Sequence, residues 1–308
     1  MAKDFRQIEW DAAVIEDCRQ IVRLAVREDL DRQFDWTTLC LVPPEATAEA
    51  AVVSRSGGIA CGLRAAEVAV AEMDTRMCWS ACVEDGAAIS PGQTLATISG
   101  PARSMLSAER ILLNLIGRLS GIATLTRQYV EAAGDSKARI YDTRKTTPGW
   151  RRLEKYAVRC SGGHNHRTGL FDAILIKDNH LALGAAVQGA AHLTPAAAVR
   201  RARAFVESMD LERASREMLV EVEVDTLEQL EEVLPELPDI VLLDNMQPEQ
   251  LRRAVSMRDA AALGVELEAS GGVNLQTIGA IAASGVDRVS VGALTHSATS
   301  LDVGLDWR

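Results

Sequence analysis

The sequence predicts an α/β protein in which a β-rich N-terminal portion precedes a parallel β/α barrel. Three observations predict it. From about residue 139 the chain repeats strand, polar tip, helix, and its last four strands start only ~20–25 residues apart, the spacing of a β/α barrel. Each of those strands ends in chemically loaded residues, and β/α barrels keep their sites at the carboxyl ends of the strands. Before about residue 100, short strands alternate with Gly/Pro turns, as in a small sandwich or barrel. The 308 residues and 33.2 kDa accommodate two such parts.

The elements follow in order. From about Ala12 to Leu30, Val14, Cys18, Ile21, Val22, Ala25 and Val26 share one stripe of a helix. Strands are expected at Ala50 to Val53, before the Gly57-Gly58 turn, at Met77 to Val83, and at Thr94 to Ile98, closed by Gly100-Pro101. Helical periodicity returns from Ser104 to about Glu131 through Leu112, Leu115, Ile116 and Leu119. The barrel strands are read at Arg139 to Tyr141, Ala173 to Ile176, Leu219 to Val224, Ile240 to Leu243, Val265 to Glu268 and Arg288 to Val291. Their tips carry Asp142-Thr143-Arg144-Lys145, Lys177-Asp178-Asn179, Asp225, Asp244-Asn245, Ser270-Gly271-Gly272 and Gly292.

Composition excludes several classes. Apolar runs fall far short of the ~18–20 residues of a membrane span, and MAKDFRQIEWD has no apolar stretch of a secretory signal. Six cysteines without a CxxC are too few for a disulfide scaffold, so reduced thiols and a cytoplasmic location are expected. A net charge of −10 disfavours nucleic acid. Arg139 to His180 nevertheless holds nine Lys/Arg against four Asp/Glu. That segment suits a small polyanionic ligand, or is a solvated basic face.

Four constellations bear chemistry. In Val220-Glu221-Val222-Glu223-Val224-Asp225 the period of two puts the acids on one face and the valines on the other. The valines must meet the helical shell, so the acids point into the barrel, where they hold metal or substrate or form an ion-pair layer. In Asp142 to Gly149, adjacent Arg144 and Lys145 suit carboxylate or phosphate oxygens, or pair with nearby acids. Gly162-Gly163-His164-Asn165-His166-Arg167 contains an HxH that a zinc site would use, but His180, His192 and His296 show no matching ligand pattern. A cationic donor pair for an anion fits the local charge better. Ser270-Gly271-Gly272 and Val291-Gly292-Ala293 are glycine-rich tips that can expose backbone N–H groups to a phosphate, or simply start helices.

DTRKTTPGWRRLEKYAVRCSGGHNHRTGLFDAILIKDNH, Asp142 to His180, resembles the signature of the quinolinate phosphoribosyltransferase family. SAERILLNLIGRLSGIAT (Ser107 to Thr124), EVEVD (Glu221 to Asp225), LLDN (Leu242 to Asn245), EASGGV (Glu268 to Val273) and SVGALTHSA (Ser290 to Ala298) extend the resemblance in order over most of the chain. Two departures stand out: the chain is longer than the family pattern between His180 and Leu219, including the run Asp210 to Arg216, and Trp150 replaces a smaller residue.

The resemblance implies an N-terminal α/β sandwich over residues 1–112, with the tail from about 297 to 308 packed on it, and an incomplete, seven-stranded α/β barrel over residues 113–296. It implies a homodimer with active sites shared between subunits, and transfer of phosphoribosyl from phosphoribosyl pyrophosphate to quinolinate. With Mg²⁺, that reaction yields nicotinate mononucleotide, pyrophosphate and CO₂ in NAD synthesis. By the same resemblance Arg144, His166, Arg167 and Lys177 form the quinolinate carboxylate clamp, joined by the partner subunit's Arg110. Lys145 serves the pyrophosphate or the second substrate, and Glu223 and Asp244 reach Mg²⁺ and the ribose hydroxyls. Ser270, Gly271, Gly272, Gly292 and His296 cradle the 5′-phosphate. Two rivals are a relative from a molybdenum-uptake operon acting on another heterocyclic acid, and a non-catalytic nucleotide-binding regulator. The full set of clamp cations argues against the first, and Glu223 with Asp244 argues against the second.

Overall fold

The computed structural model describes residues 4–31, 33–185, 193–209, 218–261 and 264–308. The run Asp210 to Arg216, the first three residues and His192 lie outside them. The chain divides into two compact units. One takes in the described residues of Met1–Gln7, Tyr129–Arg144 and His164–Ala293; the other takes in Ile8–Gln128, Lys145–Gly163 and Leu294–Arg308.

In the second unit, α1 (Ala12–Leu30) starts where Asp11 accepts from the N–H groups of Ala13 and Val14. Such a cap contributes about 1 kcal/mol. Val14, Cys18 and Val22 form its buried stripe, packed on α3 (Leu63–Met73). Strands β1 (Thr47–Ser54), β3 (Cys78–Ala81), β5 (Thr94–Pro101) and β12 (Val303–Trp307) make an antiparallel sheet in the order β12-β1-β5-β3. A ribbon of β2 (Gly58–Ile59) and β4 (Ala88–Ile89) accompanies it. The bend before Gly58 falls beside the Gly57-Gly58 turn that the sequence predicts. Helix α2 (Trp36–Leu41), capped by Asp35, and the ribbon are too short to leave a periodic signal.

Helix α4 (Ala102–Ala132) buries Leu112, Leu115, Ile116, Leu119 and Ile122 along one stripe. Two glycines on it permit the C-terminal segment to cross closely. A Cβ at Gly121 would lie 2.1 Å from the Thr299 carbonyl oxygen, and one at Gly117 2.9 Å from that of Leu301. Leu301 N–H donates to the Gly117 carbonyl at 2.8 Å. Helix α5 (Arg151–Cys160) completes the unit, its buried Glu154 accepting from Arg118.

The first unit is the expected parallel sheet. Its strands are β6 (Arg139–Tyr141), β7 (Ile174–Ile176), β8 (Val220–Val224), β9 (Ile240–Asp244), β10 (Glu266–Ser270) and β11 (Arg288–Ser290), in the order β6-β11-β10-β9-β8-β7. All six lie within two residues of the positions read from the sequence, because buried parallel strands are short β-branched runs bounded by turns. The resemblance implies seven strands. Beyond the six, His164 makes a single parallel bridge to Tyr141 at the β6 edge, too brief to count as a strand.

The helices carry explicit start signals. Thr194 and Thr226 cap α7 (Pro195–Ser208) and α8 (Leu227–Val233), and Gln247 with Gln250 forms a capping box on α9 (Pro248–Ala260). Helix α6 (Asp178–Ala185) follows the β7 tip directly, and α10 (Ile278–Ala282) precedes β11. Val220, Val222 and Val224 are buried, with α7 and α8 against β8, and Glu221 takes the opposite face. At the amino ends of the strands, Arg288 is fully buried and donates to Asp4 at 2.9 Å and to Glu266, while its guanidinium lies 4.7 Å from the Tyr141 ring centre. This network closes the sheet at the amino ends of its strands.

Candidate active site

The β6 tip delivers Asp142 and Arg144. Asp142 is fully buried and accepts from the His166 N–H at 2.9 Å and from the Asn165 side chain at 2.7 Å. It is a clip that holds the His164 to Arg167 stretch. Clipped this way, Arg167 is buried, donates once to the Ala173 carbonyl at 3.1 Å, and is held below the ordinary arginine pKa by burial and then by the charge of Arg144. Arg144 is half-buried, and its Nε is buried without a hydrogen-bond partner among the described residues. Two neighbouring guanidinium groups that repel, one with an unused donor, define a place for an anion.

Lys177, at the β7 tip, pairs with Glu223 on β8. Glu223 is raised above the usual carboxylate range by burial, against the pull of Lys177, with the charges of Asp244 and Asp178 adding to the rise. Asp244 ends β9 in register with Ser270 on β10 and accepts from Asn245 Nδ2 at 2.7 Å. Asn245 stands at φ 53°, in the left-handed region, and its N–H donates to the Ser270 carbonyl. Gly271 has φ +89°, and a Cβ there would lie 2.2 Å from Asn245 Oδ1, so only glycine fits; the space beside Gly272 is open. Gly292 follows β11.

The structure thus places Arg144, Arg167, Lys177, Glu223, Asp244, Ser270, Gly271, Gly272 and Gly292 in the first unit, Arg144 in the turn after Asp142, Arg167 in the segment before β7 and the others at or just beyond the carboxyl ends of strands. Lys145, exposed, Arg110, exposed on α4, and His296, exposed on α11 (Ala293–His296), belong to the second unit. Asp225 departs from the expectation that three acids of its run face inward. Strand β8 ends at Val224, and Asp225 is exposed, its N–H bonded to the Gln229 side chain. The two histidines of the HxH also part: the ring of His164 lies on Tyr141, while that of His166 enters the barrel interior.

Glu268 and Glu221, both fully buried beside His166, complete the interior. Glu268 was legible, since Glu266, Glu268 and Ser270 alternate onto one face as the β8 acids do. Asp4 and Phe5 were not, because nothing local marks an N-terminal segment that docks under a distant sheet.

A parallel α/β unit whose strand tips gather guanidinium groups, a lysine and paired carboxylates defines a class: barrel proteins that bind a compact polyanion at the carboxyl ends of their strands. Comparison narrows the class. Residues 35–120 match the model of the quinolinate phosphoribosyl transferase N-terminal domain, and residues 122–306 that of its C-terminal domain. A nicotinate-nucleotide pyrophosphorylase (carboxylating) of Mycobacterium leprae is 44% identical over 97% of this chain and 98% of its own. A quinolinate phosphoribosyltransferase (decarboxylating) of Nicotiana tabacum is 36% identical over 94% of this chain and 82% of its own. The solved nicotinate-nucleotide pyrophosphorylase of Francisella tularensis superposes with a TM-score of 0.85 at 34% identity, covering 99% of this chain and all of that one. The chain belongs to the quinolinate phosphoribosyl transferase family.

Proposed function

We propose that this chain transfers phosphoribosyl from phosphoribosyl pyrophosphate to quinolinate with decarboxylation, releasing nicotinate mononucleotide, pyrophosphate and CO₂. Family membership supports the reaction, and one observation of this chain carries it: Arg144 and Arg167 lie close enough to repel, with an unused Nε donor, where a dianion would neutralise both.

The chemistry suits the groups. The pyridine nitrogen attacks C1 of the ribose through an oxocarbenium-like state. Glu223 and Asp244, carboxylates on neighbouring strands, stabilise that developing positive charge. Lys177, held by Glu223, and the two arginines orient quinolinate so that its nitrogen faces C1. Alkylation leaves the ring nitrogen positively charged, so as CO₂ departs the electron pair of the broken bond stays on the adjacent ring carbon, which then takes a proton from water. The Ser270 to Gly272 turn and Gly292 are assigned to the 5′-phosphate.

Glu223 and Asp244 fit Mg²⁺: they are two hard oxygen donors close enough for one charge to raise the other's pKa. They would hold the ion, which when bound neutralises the leaving pyrophosphate. Lys145, for the pyrophosphate, and His296, for the phosphate, are assigned on the sequence match alone. So are the homodimer and the partner subunit's Arg110 in the clamp. His166 is assigned to the same clamp. No helix among the described residues is long and apolar enough to cross a membrane; a cytoplasmic location is proposed from cysteine usage.

The test is purified protein with quinolinate, phosphoribosyl pyrophosphate and Mg²⁺, followed by release of CO₂ and appearance of nicotinate mononucleotide. Absence of both products under these conditions overturns the reading.

A further inference from the structure

His166 is held on three sides. Phe5 stacks on its ring, with centres 4.2 Å apart and planes at 29°. Its Nδ1 accepts a hydrogen bond from the Arg167 N–H at 2.8 Å. Its Nε2 lies 3.1 Å from Glu221 Oε2 and 3.6 Å from Glu268 Oε1. Both glutamates are completely buried; Nε2 is hydrogen-bonded to Glu221 Oε1 at 3.4 Å, while Glu221 Oε2 and both oxygens of Glu268 have no hydrogen-bond partner among the described residues. Burial and the charge of Glu221 push Glu268 up to about 7.

These contacts decide where the imidazole carries its proton. A nitrogen that accepts from a backbone N–H bears no hydrogen itself, so the ring proton sits on Nε2. That proton is directed to Glu221, with the Glu268 carboxyl 3.6 Å from the same nitrogen. The three groups are spaced closely enough to cage a cation, since their ligand atoms all lie within 4.8 Å of one another. A metal on Nε2 would force the ring proton onto Nδ1, against the Arg167 N–H, so the tautomer opposes a metal here.

We infer that Glu221 and Glu268 are positioning residues for the cationic clamp: they hold His166 as its neutral Nε2–H imidazole and, through Nδ1, fix the peptide that carries Arg167. The inference rests on Arg144, Arg167 and Lys177 forming the quinolinate site. His166 then adds order to the clamp and no charge. Glu221 and Glu268 touch no reacting atom, and their effect reaches quinolinate only through His166 and Arg167.

Two measurements test this. The first is nitrogen NMR of the histidine-labelled, substrate-free protein, with the His166 signals identified by their loss in His166→Gln. A protonated Nε2 and a bare Nδ1 at neutral pH are expected. A ring protonated on Nδ1, or on both nitrogens, overturns the inference. So does stoichiometric binding of Zn²⁺ or Mn²⁺ that removes the Nε2–H signal. The second measurement separates the Michaelis constants. Removing the partner that orients a metal-bound histidine typically costs ~10–100-fold, and by the same positioning logic Glu221→Leu is expected to raise KM for quinolinate by at least about tenfold while KM for phosphoribosyl pyrophosphate stays within about twofold. Glu221→Gln and Glu268→Gln keep an acceptor oxygen, fold more safely, and are expected to recover most of the loss. Equal rises in both constants, or no rise with the folded Gln and Leu variants, overturn the positioning role. An inactive wild type would overturn the proposed function instead, because the tautomer is read without turnover.

Discussion

Arg167, buried, and Arg144, half-buried, are a pair of like charges, and the charge of Arg144 helps to depress the pKa of Arg167. No acid is within ion-pairing distance of either guanidinium among the described residues, although Glu221 and Asp172 offset part of the repulsion on Arg167. A fold that concentrates repulsion between two guanidinium groups gives up stability for binding.

Arg144→Ala is therefore expected to raise the melting temperature of the free protein while raising KM for quinolinate by more than about tenfold. The direction of the first effect follows from relieving like-charge repulsion, and the second from loss of a charge-assisted, fork-shaped contact. Calorimetry of the free variant and steady-state kinetics measure both. A lowered melting temperature with unchanged KM would make Arg144 a structural residue.

Nicotinate lacks the second carboxylate and leaves part of the clamp unpaired. Sites built around a charged group reject analogues that lack it, and a discrimination on the order of 10³-fold or more in kcat/KM is expected against nicotinate. Competition of the two substrates, read by product mass, checks this; comparable turnover would contradict the clamp.

Asp244→Asn preserves size, and the bond from Asn245 Nδ2 at 2.7 Å has an oxygen to accept it in either case. The fold is expected to survive, with kcat reduced by the ~2–4 kcal/mol typical of losing one charge-stabilising group. Circular dichroism and kcat are the readouts. Chelation of divalent cations is expected to stop wild-type turnover, restored by added Mg²⁺.

Glu268 gives a pH prediction with a definite sign. Its pKa in the folded chain, about 7, lies above the ordinary 4.5 because burial and then Glu221 disfavour its charge. Between those values the folded chain holds more protons at this group than the unfolded chain does. The stability this group contributes is full below about 4.5 and is lost as pH rises through about 7. Glu268→Gln, a mimic of the neutral acid, lacks that slope. Urea midpoints of wild type are therefore expected to fall, relative to Glu268→Gln, between about pH 5 and pH 8. A difference that stays constant across this range would show that Glu268 does not titrate there.

The strands and their tips were readable because each signal is local: a β-branched run, then Asp244-Asn245 or Ser270-Gly271-Gly272. The period of two correctly placed Glu221 and Glu223 inward, and failed one residue beyond the strand at Asp225, where the pleat no longer governs direction. Asp142 shows the opposite limit. Its place beside Arg144 made it look like chemistry, whereas its hydrogen bonds to residues 165 and 166, more than twenty positions away, make it architecture. No single-sequence pattern encodes such a closure, nor the docking of Asp4 and Phe5 on Arg288 and His166.

The proposed sharing of the active site between subunits is tested by complementation. Arg110 is exposed on α4, and among the described residues it has no hydrogen-bond or ion-pair partner. Its helix neighbours Leu112, Leu115 and Ile116 are buried in packing. An arginine left free beside such a stripe suits a role toward another molecule, and the proposed role is in the clamp of the partner subunit. Arg110→Ala and Lys177→Ala are each expected to be nearly inactive alone. When the two are mixed and allowed to exchange subunits, each heterodimer has one site that lacks both residues and one that keeps both. A statistical mixture is half heterodimer, so activity is expected to return to about a quarter of wild type if sites act independently. Exchange is verified by native mass spectrometry of differently tagged subunits. Complete exchange without recovered activity would mean that Arg110 acts within its own subunit or has no part in the clamp.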